Sequence, residues 1–306
     1  MRHKPVLLTE AVQCLALRPG MVVVDGTVGG GGHALEILKA IGSAGRLVAL
    51  DRDPEAIERC RPLFQNYPQV SLHQANFRNA EKILDLLNIP SADAVILDVG
   101  FSSDQLEDEN RGFSFDREGP LDMRMDPGDP VRARDLVNDL SQEDLEKIFR
   151  EYGEERWSKR FARAIEYARA EHPIETTGDL VRVIQSALPR SLIGTKSKRM
   201  PMLRRHPATR IFQALRIAVN DELNALSEGL TRIWPRVKVG GRVAVIAFHS
   251  LEDRIVKNQF RAWAQAGEAT LIFRKPLTAQ PEEIESNTRA RSAKLRAVEK
   301  THEGHR

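Results

Sequence analysis

The chain has 306 residues, 41% hydrophobic and 29% charged, an ordinary globular composition long enough for one large domain or two smaller ones. Its formal net charge is only +3, so a nucleic-acid partner must be argued from where charge lies, not from its total. Cys14 and Cys60 lie far apart with no CxxC pair, which argues against a disulfide framework or a cysteine-built zinc site. No apolar run reads as a signal peptide or membrane span, and no metal-ligand spacing is present; the expectation is a cytoplasmic protein without a metal.

The first hundred residues alternate between strand and helix patterns. Met21–Val24 is a β-branched run ending in Asp25 and a glycine cluster, followed by a helical pattern at Ala34, Leu35, Leu38 and Ile41 that stops at Gly42. Leu47–Leu50 ends in Asp51, Pro54 opens a helix to about Asn66, and Val70–Ala75 reads as a third strand. Ala80–Leu87 is a short helix, and Ala94–Leu97 is a fourth strand ending in Asp98. This rhythm predicts a parallel sheet covered on both faces.

From Gly100 to about Gly128 the chain is loop-like, and from Pro130 to about Leu192 it is helical in period. A helix from Ala208 to about Leu230, the strand Arg242–Phe248 and the helix Glu252–Gln265 restore the sheet rhythm; Thr270–Arg274 and Ala293–Val298 are further strands. The expected organisation is an α/β doubly wound, Rossmann-like domain (residues 1–104 and 206–306) interrupted by a helical domain (105–205).

Gly29-Gly30-Gly31-Gly32 lies between a strand and a helix, where glycine lets backbone N–H groups approach a ligand. Asp51 falls at the next strand end, where an acidic residue accepts hydrogen bonds from a ribose diol. These features alone fit either a nicotinamide dinucleotide or S-adenosylmethionine. Charge discriminates: Asp25, Asp51 and Asp98 end three strands, and Asp25 precedes the glycine turn, where a dinucleotide would place its pyrophosphate. A carboxylate there opposes a diphosphate and suits a cationic sulfonium. The plainer alternative is that the three aspartates cap helices.

Several segments then resemble the bacterial ribosomal RNA small-subunit methyltransferase H family. They are His3-Lys4-Pro5-Val6-Leu7-Leu8, Asp25-Gly26-Thr27-Val28-Gly29-Gly30-Gly31-Gly32-His33, Asp51-Arg52-Asp53-Pro54 and Asp98 to Leu106. Further on come Arg111-Gly112-Phe113-Ser114-Phe115, Gly119 to Asp126, His206 to Ile217, Phe248 to Arg254 and Asn287 to Arg296, in the family's order across nearly the whole chain. The resemblance implies a class I S-adenosylmethionine-dependent methyltransferase fold with an inserted helical domain. The implied reaction is N4-methylation of a decoding-centre cytosine in 16S ribosomal RNA, within the small ribosomal subunit. Carried over by position, it implies cofactor contacts at Gly31, Gly32, His33, Asp51, Phe77, Asp98 and Gln105; Asp25 joins them on the charge argument. Val99, Phe101 and Asp104 depart from the family's usual Leu, Val and Pro, and Asp104 adds a negative charge beside the site.

The common amino-methyltransferase tetrapeptide [DNS]-P-P-[YFW] is absent; Asp98-Val99-Gly100-Phe101 stands in its place. Asp98 is the expected acceptor for the cofactor or the target amine, with Ser102 and Ser103 either positioning the base or capping a turn. Arg111, Phe113 and Phe115 either meet RNA, the rings stacking on a base, or anchor their loop to the core. His249 either lines the pocket or is structural. Between Asp179 and Asp221 there is no acidic residue, and Arg199, Arg204, Arg205, Arg210 and Arg216 are expected to contact phosphate. Thr209, Gln213, Arg216 and Asn220 form a polar helical stripe that is a further RNA candidate, as is the basic cluster Arg289, Arg291, Lys294 and Arg296. Competing readings are a nicotinamide oxidoreductase and a non-catalytic RNA-binding protein.

Overall fold

The computed structural model describes residues 5–188, 206 and 208–302. After α1 (Leu8–Cys14), strands and helices alternate: β1 (Val22–Asp25), α2 (Gly32–Ile41), β2 (Arg46–Asp51), α3 (Pro54–Phe64), β3 (Val70–Gln74), α4 (Ala80–Leu86) and β4 (Ala92–Asp98). A helical stretch follows: α5 (Ser103–Glu107), α6 (Ala133–Asp139), α7 (Gln142–Glu151), α8 (Ser158–Glu171), α9 (Thr177–Ser186) and α10 (Ala208–Asn220). The chain ends with α11 (Glu222–Ile233), β5 (Val237–Ala247), α12 (Ser250–Gln265), β6 (Ala269–Leu271), α13 (Pro281–Ser286) and β7 (Lys294–Lys300). Two compact units result, one built from residues 1–102 and 223–306, the other from 103–222. No helix among the described residues is long and apolar enough to cross a membrane.

The first unit holds a 7-stranded sheet in the order β3-β2-β1-β4-β5-β7-β6. β1 to β5 run parallel, and β7 lies antiparallel between β5 and β6. Successive strand residues face opposite layers, as the two-residue pleat requires. Val23, Leu47, Ala49, Ile96 and Ile246 pack with Ala11, Ile37, Ile41 and Ile57 of α1 to α3. Val24, Val48, Leu50, Val95, Leu97 and Val245 pack with Leu84, Leu226, Leu230, Val256 and Phe260 of α4, α11 and α12. The sheet is therefore doubly wound, as the βα rhythm predicts. Chain order reverses around β1, whose neighbours are β2 and β4. Such a reversal leaves a crevice at the strands' carboxyl ends.

The second unit gathers α6 to α10 around Phe149, Phe161, Ile165, Leu180, Ile184, Ile211 and Leu215. Its helix starts are satisfied locally: Ser141 accepts from the Asp144 N–H, and Thr176 with Asp179 forms a reciprocal capping box.

Two expectations need correction. The helix read as continuous from Ala208 to about Leu230 is broken at Asp221, whose φ of 49° is left-handed. The boundary expected at residue 205 also moves, because Ile211, Phe212 and Leu215 of α10 complete the helical core rather than covering the sheet. Nor was α1 anticipated; the chain enters it through Leu7 in a left-handed conformation, without a side-chain cap.

Candidate active site

The three predicted strand-end aspartates lie on adjacent strands: β1 pairs with β2 on one side and with β4 on the other. Asp25 is buried, and its Oδ1 accepts from the Thr27 N–H at 3.1 Å. Asp51 accepts from the N–H groups of Gly29 and Asp53, both at 2.9 Å, so it fastens the glycine turn to the end of β2. The Asp98 N–H donates to Thr27 Oγ1 at 2.6 Å, which ties β4's end to the start of the same turn. Thr27 thus bonds the Asp25 carboxylate through its N–H and the Asp98 main chain through its hydroxyl, a role that its position in the quoted glycine motif did not disclose.

The helix-capping alternative fails for the first two aspartates. Gly31 occupies the α2 cap, and Asp53 caps α3 by accepting from the Glu55 N–H. Asp25 Oδ2 and Asp98 Oδ1 are buried, with no hydrogen-bond partner among the described residues. Burial pushes Asp25 and Asp98 up to about 7 and Asp51 up to about 6; Asp98 and Asp51 reinforce the rise at Asp25. Desolvated carboxylates with orphaned oxygens disfavour each other and any diphosphate, and favour a cation or an N–H donor. A positively charged ligand therefore fits this donor set.

His33, in the first turn of α2, has Nε2 3.2 Å from the Val6 carbonyl and Nδ1 3.8 Å from Asp98 Oδ2. A carbonyl can only accept, so Nε2 carries the proton and Nδ1 turns a lone pair toward Asp98. Burial lowers His33 to about 4, so the ring is neutral. Gly32 serves the chain itself: a Cβ there would lie 2.0 Å from Pro5 Cγ. The N-terminal segment is thereby pressed onto the start of α2. Phe77 is partly buried and packs with the core of the α4, α11 and α12 face, consistent with the plain packing role. Ser102 closes the first segment of the first unit, whereas Ser103 and Gln105 of α5 belong to the second unit. Asp25, Gly31, Gly32, His33, Asp51, Phe77, Asp98 and Ser102 all belong to the first unit.

His249 caps α12, with Nδ1 accepting from the Glu252 N–H at 3.4 Å, which is the structural reading. Among the described residues, most predicted RNA contacts are used internally. Arg111 is buried and donates to the carbonyls of Arg124 and Met125, and Phe113 is buried beside it. Phe115 stacks on His206 and meets Phe212 edge-on, so this loop is anchored. Arg216 is buried in a two-pronged pair with Glu222, at 2.8 Å for each bond. Asn220 bonds the backbone of Met123 and Met125, and Gln213 donates to Tyr152, so the polar stripe stitches the helical unit together. Lys294 and Arg296 both pair with Asp253. Among the described residues, the predicted arginines Arg210 and Arg291 are exposed, Arg210 with its guanidinium near Glu154 and Glu155. Arg199, Arg204 and Arg205 lie outside the described residues.

Comparison with known proteins gives nearly full-length matches of high similarity. "Ribosomal RNA small subunit methyltransferase H" of Symbiobacterium thermophilum is 45% identical over 99% of this chain and 98% of its own. The protein of the same name from Syntrophotalea carbinolica is 48% identical, with 97% of each chain covered. Likeness to solved structures is remote: an rRNA methylase from Streptococcus thermophilus aligns over 99% of each chain at 11% identity and a TM-score of 0.45. Residues 1–301 match the family model throughout, and the chain belongs to the MraW methylase family.

Proposed function

We propose that this protein transfers a methyl group from S-adenosylmethionine to N4 of a cytosine in the decoding-centre region of 16S ribosomal RNA, on the small ribosomal subunit. The observation that carries this reading is the carboxylate row at adjacent strand ends, with two oxygens left unpartnered. Family membership supports methyl transfer, and the relatives' names support a ribosomal RNA substrate. The choice of cytosine N4 follows from the motif resemblance.

The cofactor supplies a methyl group on a positively charged sulfur. Asp25 and Asp98 would hold positive charge, Asp51 would accept from the ribose hydroxyls, and the Gly31 and Gly32 N–H groups would meet the ligand at the turn. Phe77, His33 and Gln105 complete the carried-over contacts. The chain's remaining work is alignment of the base and removal of charge from the attacking nitrogen. As N4 gains a carbon, one of its protons must leave. Asp98 accepts the hydrogen bond from the amine and then that proton, with Ser102 and Ser103 placing the base. A carboxylate raised to about 7 by burial is basic enough for this at neutral pH.

The test is transfer of labelled methyl from S-adenosylmethionine to small subunits lacking the modification, followed by nucleoside analysis. The label is expected in N4-methylcytidine, and Asp98→Asn is expected to lower turnover by about a hundredfold or more. Label in another nucleoside, or full turnover by the variant, would overturn the assignment.

A further inference from the structure

Within the basic cluster Arg289, Arg291, Lys294 and Arg296, the half-buried Arg289 side chain has a setting of its own. It lies in the 3-10 segment Thr288–Ser292, just before β7. Its Nη2 donates to the Phe101 carbonyl. The guanidinium carbon is 5.6 Å from the Phe101 ring centroid and 5.9 Å from that of Phe248. Guanidinium planes are attracted to ring faces, and the gain increases where water is excluded.

The two rings follow neighbouring strands. Phe101 comes after β4 and Phe248 after β5, and the Val99 N–H donates to the Ile246 carbonyl at 3.0 Å. Gly100 lets them close together. Its φ is +120°, and a Cβ there would lie 3.2 Å from Phe248 Cδ2. Where an Asp-Pro-Pro sequence would fix the backbone by ring closure, Val99-Gly100 supplies no such stiffness. The segment leaving Asp98 is instead held from outside, by one planar cation bonded to a carbonyl and laid over two aromatic rings.

We propose that Arg289 is a positioning residue for methyl transfer: by clamping Phe101 and Phe248 it fixes the backbone after β4 and hence the orientation in which Asp98 meets the target amine. This inference rests on the function proposed above. Electrostatics give it a readout that packing alone would not produce. The charged groups acting on Asp98 are Arg289, which lowers its proton affinity, and Glu252 of α12, which raises it. Asp25 on β1 is coupled to it, and His33 on α2 faces it as a neutral ring. Removing the Arg289 charge must therefore move the ionisation of Asp98 to higher pH.

The experiment compares full-length wild type, R289A and R289K in single-turnover methyl transfer to undermodified small subunits, from acid to alkaline pH. Binding of S-adenosylhomocysteine and thermal melting are measured in parallel. R289A is expected to lose about tenfold to a hundredfold in rate, with little change in half-saturating subunit concentration, and its acid limb should move to higher pH. R289K keeps the charge but not the planar fork; it should lose rate while its acid limb stays near the wild-type position. If R289A is too unstable to assay, F101A with the arginine intact should show the R289K pattern. Wild-type rates with a superimposable profile overturn the inference. A lowered melting temperature with unshifted acid limbs does so as well, because it leaves only a structural role. Absence of transfer by wild type is a separate result that removes the parent reading and this one together.

Discussion

A carboxylate sunk at a strand end with one oxygen unpartnered is costly to keep ionised, and this site has two. Asp25, Asp51 and Asp98 are all raised above the ordinary carboxylate range by burial. Their folded forms therefore hold protons that the unfolded chain has released. The stability they contribute is full in acid and is lost as pH rises from near 4 toward 7. A cationic ligand reverses the preference, because it binds best once those protons have gone. Affinity for S-adenosylmethionine should thus fall below neutrality by about tenfold per pH unit for each proton displaced. Calorimetry in buffers of different ionisation enthalpy would detect that release; pH-independent binding would refute it. The aspartates were legible because each follows an apolar run that could only be a strand. Thr27 and Arg289 were not: their partners lie 71 and 188 residues away, and no local pattern encodes such pairings.

Among the elements, strands were read well because their side chains alternate between two packed faces. Helix α10 shows the limit of that method. Its polar positions recur at helical spacing, which looks like a face offered to a partner, yet Gln213, Arg216 and Asn220 bind the unit's own chain. A helix packed against loops needs polar residues to satisfy backbone groups, and periodicity cannot separate that use from an external one. The break at Asp221 escaped notice for a related reason: no glycine or proline marks it. Arg216→Met should destabilise the helical unit by about 3–5 kcal/mol, since Glu222 would be left buried without its partner. R216M/E222M should recover part of that loss. Urea unfolding of the two variants is the measurement, and equal stability of R216M and wild type would contradict the role given to the pair.

For the whole molecule, each of the two units has its own apolar core. Thermal unfolding is expected to show two transitions, and S-adenosylhomocysteine should raise mainly the one belonging to the sheet unit. Scanning calorimetry with and without the ligand tests this; a single transition would mean that the units unfold cooperatively. The doubly wound class and the existence of a helical interruption were legible from the change of rhythm after Asp98. The exact exit from the interruption was not, because α10 and α11 are both amphipathic and only packing tells which core each serves. That interruption has a bearing on synthesis. β5 completes the sheet's centre beside β4, yet it leaves the translating ribosome only after the entire helical unit has been made. Until then the nascent half-sheet carries an open hydrogen-bonding edge on its innermost strand, so production of this protein should be sensitive to translation speed and to chaperone supply.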